Sequence, residues 1–163
     1  MMSIEILLRD VIESDLPLLF EQQLDTEATQ MAAFPSRDRD AFMAHWTKIM
    51  ADESNILKTI VFDGQAAGNI VSWEGSGEWE VGYWIGKEYW GKGIATQALL
   101  LFLDLVKIRP LYAHVAKHNI ASRRVLEKCG FRMIGMEWVL DMQGENKIEE
   151  FILKLGGNEE ETQ

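Results

Sequence analysis

The chain has 163 residues, of which 47% are hydrophobic and 26% are charged, and this is the composition of an ordinary globular protein. That length fits one domain around one core. The 26 acidic and 16 basic residues give a formal net charge of -10, which repels phosphate backbones and anionic membranes, so we expect no nucleic-acid or membrane partner.

The cysteine content and the first residues predict a cytoplasmic protein. Cys129 is the single cysteine, so it forms no internal disulfide and has no second thiol for a metal site. Residues 1–9 contain charged side chains and lack the pattern of a signal peptide. The three histidines lack metal-ligand spacing, so we expect no metal.

The first half of the chain is predicted to contain one strand, two helices and a three-stranded meander. Residues 4–9 read as an extended edge segment. Ser14 and Pro17 begin a helix that we expect to reach about residue 25, and residues 35–38 begin a second helix that ends near Asp52. Strands then follow at residues 56–62, 66–73 and 79–85, the first two joined by an Asp-Gly turn.

The second half is predicted to contain two helices and three strands. A largely buried helix follows Gly93 and ends before Pro110, and a short strand covers residues 111–116. Asn119 caps the next helix, which runs through Cys129. A final hairpin pairs residues 131–142 with residues 147–155 around a turn at 143–146.

This order of elements predicts an α/β fold with a mixed, mostly antiparallel sheet. We expect about seven strands and four helices packed on both faces, in a single domain that spans residues 1–155. Residues 156–163 read as an acidic, disordered tail.

The turn after the third meander strand could bind a phosphate. Gly91 and Gly93 allow a ligand to approach the backbone, and the helix that follows presents unpaired N–H groups. A plain strand-to-helix turn has the same pattern. Lys92 is followed by glycine rather than Ser or Thr, and Thr96 stands where a dinucleotide fingerprint needs its third glycine, so neither familiar nucleotide loop is present.

Further segments along the chain accompany this turn in a recognisable order. They are Gly82-Tyr83-Trp84-Ile85, Tyr89-Trp90-Gly91-Lys92-Gly93-Ile94-Ala95-Thr96, Asn119-Ile120-Ala121-Ser122 and Leu126-Glu127-Lys128-Cys129-Gly130-Phe131. Together they closely resemble the GNAT acetyltransferase superfamily, and most of all its RimJ/RimL-like branch. Gly93 and Ala95 match the family's acetyl-CoA motif, whereas Trp90 replaces the Gln or Arg with which that motif begins.

The resemblance implies acetyl-CoA as co-substrate and assigns residues to it. The backbone of Tyr83, Trp84 and Ile85 would run beside the pantetheine arm, and Asn119 and Ser122 would flank the thioester. Arg124 would reach a nucleotide phosphate, although an exposed helix residue would look the same. The pyrophosphate would be held by amides of a continuous segment: Trp90, Gly91, Lys92, Gly93, Ile94, Ala95 and Thr96.

Two side chains are candidates for acid–base catalysis. An amine must lose a proton before it attacks, and Glu80 lies on the strand expected beside the thioester, with Glu78 on the same face. Both carboxylates are equally compatible with a merely solvated sheet face. The resemblance suggests that Ser122 protonates or hydrogen-bonds the sulfur, while Asn119 and Ser122 also fit a simple helix cap and first turn.

The sequence therefore predicts an N-acetyltransferase that works by direct attack in a ternary complex. The acceptor would be a peptide N-terminal amine, as for a ribosomal-protein-alanine acetyltransferase, or a small amine such as a polyamine. Two other classes stay open, namely a CoA-binding sensor or interaction domain without catalysis and a nucleotide-binding domain. The oligomeric state stays open between a monomer and a homodimer.

Overall fold

The computed structural model describes residues 5–33, 36–140 and 147–157. Seven strands form one sheet in the order β1-β2-β3-β4-β5-β7-β6. Neighbouring strands are antiparallel except β4 and β5, which are parallel. The strands are β1 Ile6–Asp10, β2 Ile56–Phe62, β3 Gln65–Gly75, β4 Glu78–Ile85, β5 Leu111–Ala116, β6 Arg132–Leu140 and β7 Lys147–Leu155.

Five α-helices pack against this sheet within the described ranges. They are α1 Leu16–Gln22, α2 Thr26–Ala32, α3 Arg39–Ala51, α4 Ile94–Leu105 and α5 Ile120–Lys128. Helix α4 connects β4 to β5, which is the long crossover that parallel neighbours require. Short 3-10 turns at Glu13–Asp15 and Lys87–Tyr89 precede α1 and follow β4.

The mixed sheet of seven strands with helices on both faces is confirmed, but the count of four helices is wrong. The first helix, predicted to reach about residue 25, ends as α1 at Gln22, and a separate helix α2 follows at Thr26–Ala32, where no element was predicted. Asp25 is extended, and its side chain accepts a hydrogen bond from Ala28 N at 2.9 Å, so it caps a new helix instead of ending the first one.

Most other boundaries agree closely with the prediction. Strands β2, β5 and β7 have the predicted bounds, β3 is longer at both ends, and β6 begins one residue later than predicted. Residues 141 and 142, where β6 was predicted to end, lie outside the described residues. Ile4, Pro35, the turn at 143–146 and all of the tail beyond Gly157 lie outside the described residues.

Each face of the sheet has its own core. Helix α4 is buried along one face through Ile94, Ala98, Leu99, Phe102 and Leu103, all at most 8% exposed, and these residues pack with the sheet in one cluster. On the other face, α1 and α3 form a second cluster with Leu19, Phe42 and Trp46 at its centre. A fully buried side chain of this size contributes roughly 1.5–3 kcal/mol. Within the described ranges, no helix combines the length and the apolar character needed to cross a membrane.

A buried carboxylate ties β1 and β2 to the entry of α1. Asp15 accepts hydrogen bonds from both terminal nitrogens of Arg9 at 2.8 Å, from the hydroxyl of Thr59 at 2.8 Å and from Ile12 N at 2.9 Å. The Arg9 guanidinium, helped by the other donors, lowers the pKa of Asp15 to about 2.

Asp15→Asn should lower the free energy of unfolding at neutral pH by about 1–2 kcal/mol, because the donors lose a charged acceptor while solvent screens the half-exposed Arg9. The folded-state pKa lies below the unfolded value, so this difference is present above about pH 4 and shrinks as the pH falls toward 2. Urea denaturation of both proteins across this range measures it. Asp104→Asn, on an exposed side chain, is the control and should change stability by less than about 0.5 kcal/mol.

Candidate active site

Strands β4 and β5 separate soon after they begin to pair. Their register contains only two partner pairs, Trp79 with Leu111 and Glu80 with Tyr112, whereas β5 pairs with β7 at six positions. Beyond Glu80 the edge of β4 that faces β5 therefore has no partner strand, although its other edge stays paired to β3 as far as Ile85. The divergence opens the sheet beside the first turns of α4 and α5.

A pocket of about 540 Å³ occupies this opening. Its walls come from the end of β4, the turn that follows it, the first turns of α4 and α5, and helix α2. Twelve of the fourteen predicted site residues line it, namely Tyr83, Trp84, Ile85, Trp90, Gly91, Gly93, Ile94, Ala95, Thr96, Asn119, Ser122 and Arg124. Glu80 and Lys92 are not among the lining residues.

The start of α4 offers a backbone site for an anion. Gly91 and Gly93 both have φ of 77°, a left-handed conformation that favours glycine, and Gly93 caps the helix. The first helical bond runs from Gln97 N to Gly93 O at 3.2 Å, so the amides that precede Gln97 in this turn have no partner within the helix. A Cβ at either glycine would meet no atom within 4 Å, so a ligand can approach the backbone.

Trp90 closes the turn on itself. Its indole nitrogen donates a hydrogen bond to the carbonyl oxygen of Ile85 at 3.0 Å, and the residue is 37% exposed. The side chain that departs from the family motif therefore has a clear local role, because it fixes the approach of β4 to the glycine turn.

A hydrogen bond across the pocket joins β4 to α5. The hydroxyl of Tyr83 lies 2.8 Å from Oγ of Ser122, and either atom can be the donor. Burial raises the pKa of Tyr83 to about 12, so the phenol is neutral at ordinary pH. Only the backbone of Tyr83 was predicted to belong to the site. The strand alternation, which places Tyr83 on the same face as Val81 and Ile85, was the available signal for its side chain.

Asn119 is a helix cap, as one of its two interpretations stated. Its side-chain oxygen accepts a hydrogen bond from Ser122 N at 3.2 Å. Because Asn119 also lines the pocket, the cap fixes the backbone that presents Ser122 to the opening. Arg124 is exposed on α5 and lines the pocket farther along the helix, and Lys92 is exposed on the turn.

Glu80 lies where the two strands separate, on the sheet face opposite Tyr83. It forms the last partner pair between β4 and β5, and its side chain is 21% exposed. Burial raises the pKa of Glu80, although His114 acts in the opposite sense. A carboxyl group with a raised pKa accepts a proton more readily than an ordinary one.

Glu80 adjoins a cluster that was not predicted from the sequence. His114 on β5, Glu137 on β6 and Glu150 on β7 bring one potential ligand atom each within 4.8 Å of one another. Sheet register joins these residues, so the linear spacing of the histidines gave no sign of them. The pKa of His114 is raised, first by its hydrogen bond to Glu150, which favours an imidazolium among carboxylates over a neutral metal ligand.

Helix α2 supplies a wall of the pocket that the sequence analysis did not predict. Ala28, Met31 and Ala32 line the opening from this helix. It is held by an ion pair of 2.7 Å between Glu27 and Lys87 and by a hydrogen bond of 2.8 Å between Nε2 of His118 and the carbonyl oxygen of Gln30. The wall was missed because the helix itself was missed.

A family model described as an acetyltransferase (GNAT) domain matches residues 5–132. The chain belongs to this family. The prediction of a GNAT acetyltransferase domain is thus confirmed, and the open sheet between β4 and β5 is the GNAT domain's candidate active site.

Curated relatives match parts of this GNAT domain. YdaF of Bacillus subtilis, assigned as a ribosomal N-acetyltransferase, is 30% identical over 100 residues, which are 57% of this chain and 55% of that protein. YjcK of Bacillus subtilis, assigned as an N-acetyltransferase, is 40% identical over 60 residues, which are 34% of this chain and 33% of that protein. The alignments thus span one third to about half of the relatives' length.

Solved structures share the fold over nearly the whole chain. The spermidine N-acetyltransferase of Vibrio cholerae, solved with CoA and spermine, superposes with a TM-score of 0.80 at 18% identity, covering 92% of this chain and 94% of that one. A GNAT-family acetyltransferase of Bacillus anthracis gives 0.78 at 20% identity, with 92% and 93% covered. The ribosomal-protein-alanine N-acetyltransferase of Brucella melitensis gives 0.77 at 18% identity, with 91% and 98% covered. At these identities the likeness establishes the fold alone.

Tyr83→Phe should lower the free energy of unfolding by about 1 kcal/mol, because it removes the hydrogen bond to Ser122. It should also change the ultraviolet absorbance measured after rapid jumps to high pH. The component of the phenolate absorbance that appears only near pH 12, here called the late component, belongs to Tyr83 and should be lost. Tyr112→Phe is the control, and it should leave that late component in place. An unchanged late component in Tyr83→Phe would contradict the burial of this hydroxyl.

Proposed function

We propose that this GNAT protein is an acetyl-CoA-dependent N-acetyltransferase of the RimJ/RimL-like branch, whose catalytic domain spans residues 1–155. The observation that carries the proposal is the divergence of β4 from β5 beside the glycine-capped start of α4. This places an unpaired strand edge, an anion site and a serine hydroxyl around one opening.

The residues present fit acetyl-CoA, which supplies the acetyl thioester. The amides from Gly91 to Thr96 suit its pyrophosphate, and Lys92 takes part through its backbone. The amide of Trp90, which was predicted to join them, already donates a hydrogen bond to the carbonyl oxygen of Lys87 at 3.0 Å. The edge of β4 at Tyr83, Trp84 and Ile85 suits the amides of the pantetheine arm, although the carbonyl oxygen of Ile85 is already bonded to the indole of Trp90. Arg124 suits a phosphate at the nucleotide end.

The transfer needs a base, an oxyanion donor and a proton for the leaving sulfur. Glu80 takes the proton of the acceptor ammonium, directly or through water, and the neutral amine attacks the carbonyl carbon. A backbone N–H near Tyr83 or Trp84 stabilises the charge that develops on the carbonyl oxygen. The carbon–sulfur bond then breaks. Ser122, held by Tyr83, either donates its hydroxyl hydrogen to the sulfur and takes back the second proton that the attacking nitrogen releases, or hydrogen-bonds the sulfur while that proton leaves through water. No covalent acyl-enzyme is formed.

The acceptor is a primary amine, either a peptide N-terminus or a small amine such as a polyamine. The sheet face where the acceptor would arrive is acidic, because the charges of Glu78, Glu137 and Glu150 act on Glu80 there. The whole chain has a net charge of -10. Both favour a cation as the arriving substrate. Similar proteins support the same two classes of acceptor. YdaF and the Brucella melitensis structure are named as acetyltransferases of ribosomal proteins, and the Vibrio cholerae structure is named as a spermidine acetyltransferase.

Gly93→Ala should raise the dissociation constant for CoA about tenfold, because a side chain in the left-handed region shifts the amides of the turn. Gly77→Ala is the matched control, since Gly77 also has positive φ and open space around it but lies in the β3–β4 hairpin. Both variants should lose about 1 kcal/mol of stability. Isothermal titration calorimetry measures the binding. Tighter binding of ATP or NAD than of CoA would support a nucleotide-binding domain instead.

Glu80→Gln should lower kcat about a hundredfold, and Ser122→Ala about tenfold, while the affinity for CoA stays within about twofold. A thiol-release assay with acetyl-CoA and a panel of peptides, polyamines and other amines measures the rate. Glu78→Gln, on the same face but exposed, is the control and should retain nearly full activity. Binding of acetyl-CoA by a wild-type protein without turnover on any amine would favour a sensor.

A further inference from the structure

His114 stands between Glu80 and the outer edge of the sheet. Its Nε2 lies 3.7 Å from Oε1 of Glu80 on β4, and its Nδ1 lies 3.2 Å from Oε1 of Glu150 on β7. The same Nδ1 lies 3.3 Å from Oε2 of Glu137 on β6. One imidazole therefore faces the candidate base with one nitrogen and two outer carboxylates with the other.

This arrangement selects one tautomer of the neutral ring. Carboxylates accept hydrogen bonds, so the proton resides on Nδ1, where it can be donated to Glu150. Nε2 then carries the lone pair and faces Glu80. A rotation of Glu80 that shortens the contact by about 1 Å makes a direct hydrogen bond to it.

We propose that His114 is a positioning residue that receives a proton from Glu80 and passes one to Glu150 or Glu137. The inference rests on the proposed function. The acceptor ammonium gives its proton to the carboxylate of Glu80, the carboxyl proton moves to Nε2, and the Nδ1 proton leaves to an outer carboxylate and then to water. Glu80 ends as a carboxylate, and the ring ends with its proton on Nε2. Loss of this proton to water and return of a proton to Nδ1 restore the starting tautomer, so the cycle needs no reactant other than water.

The charged groups around the imidazole of His114 determine the pH range over which it gains and loses its proton. Glu80 and, beyond it, Glu78 lie on β4, Glu150 on β7 and Glu137 on β6, while Lys154 of β7 lies over the ring of Tyr112. On α2, Glu27 pairs with Lys87. The neighbouring carboxylates raise the pKa of His114 above its usual 6.5. The imidazole is protonated below that folded pKa and neutral above it, so kcat should rise as the pH rises through it.

Two variants test the relay through the pH profile of kcat at saturating acceptor. The limb of the profile that belongs to His114 is the rise of kcat as the pH increases through the pKa of the ring. His114→Gln should lower kcat about tenfold and abolish this limb. Glu150→Gln should move that limb to lower pH, because it removes the first cause of the raised pKa. Glu149→Gln is the matched control, since the adjacent side chain pairs with Lys117 at 3.0 Å, and it should leave the profile unchanged.

Nuclear magnetic resonance titration of the His114 ring gives a readout independent of turnover. The ring should carry its neutral proton on Nδ1, and its pKa should fall in Glu150→Gln by the same amount as the kinetic limb moves. A kinetic limb that stays in place while the ring pKa moves would overturn the relay, as would a proton on Nε2.

The outcomes separate the two proposals. Wild-type turnover with an unaltered rate and profile in His114→Gln overturns the relay and leaves the acetyltransferase in place. Absence of wild-type turnover with every amine overturns the acetyltransferase and the relay with it. Retained affinity for CoA in each variant shows that the variants are folded.

Discussion

The site depends on a conflict between two kinds of strand connection. Antiparallel pairing holds β1 to β4 together and, separately, β5 to β7, while α4 forces β4 and β5 to be parallel where the two groups meet. The parallel contact lasts for only two partner pairs. A sheet normally hides its backbone groups within its ladder, and here the broken ladder leaves a strand edge open inside the domain instead of at its rim.

The two faces of the sheet at the opening present different chemical groups. Toward α4 and α5 lie the glycine turn, Ser122 and the phenol of Tyr83, which suit a phosphate-bearing thioester. Toward the other face lie Glu80 and the carboxylates around His114, which suit a cation. Strand alternation produces this division, because Tyr83 and Glu80 are separated by an odd number of positions on one strand. Under the proposed function, two substrates of opposite charge would therefore approach one point from opposite sides.

The fold and the phosphate side were readable from the sequence because their signals are local. The turn glycines, the Asn119 cap and the strand alternation all act within a few residues, and the strands β2, β5 and β7 were located to the residue. Helix α2 was missed because its cap at Asp25 lies only three positions after α1 ends, so Asp25 was taken as the end of the first helix and not as the start of another. The cluster at His114 depends on the register of three strands, which no spacing in the linear sequence encodes.

Helix α2 is attached to the domain more weakly than α4, although both helices line the same pocket. Ala28 is its only buried residue in the described structure, and its pair with Lys87 joins two exposed side chains, so solvent screens that attachment. Substitutions in α2 therefore cost the cores on either face of the sheet very little. A lineage of such proteins can therefore reshape this wall of the pocket while the glycine turn and both cores stay unchanged, and new selectivity can arise without a loss of foldedness.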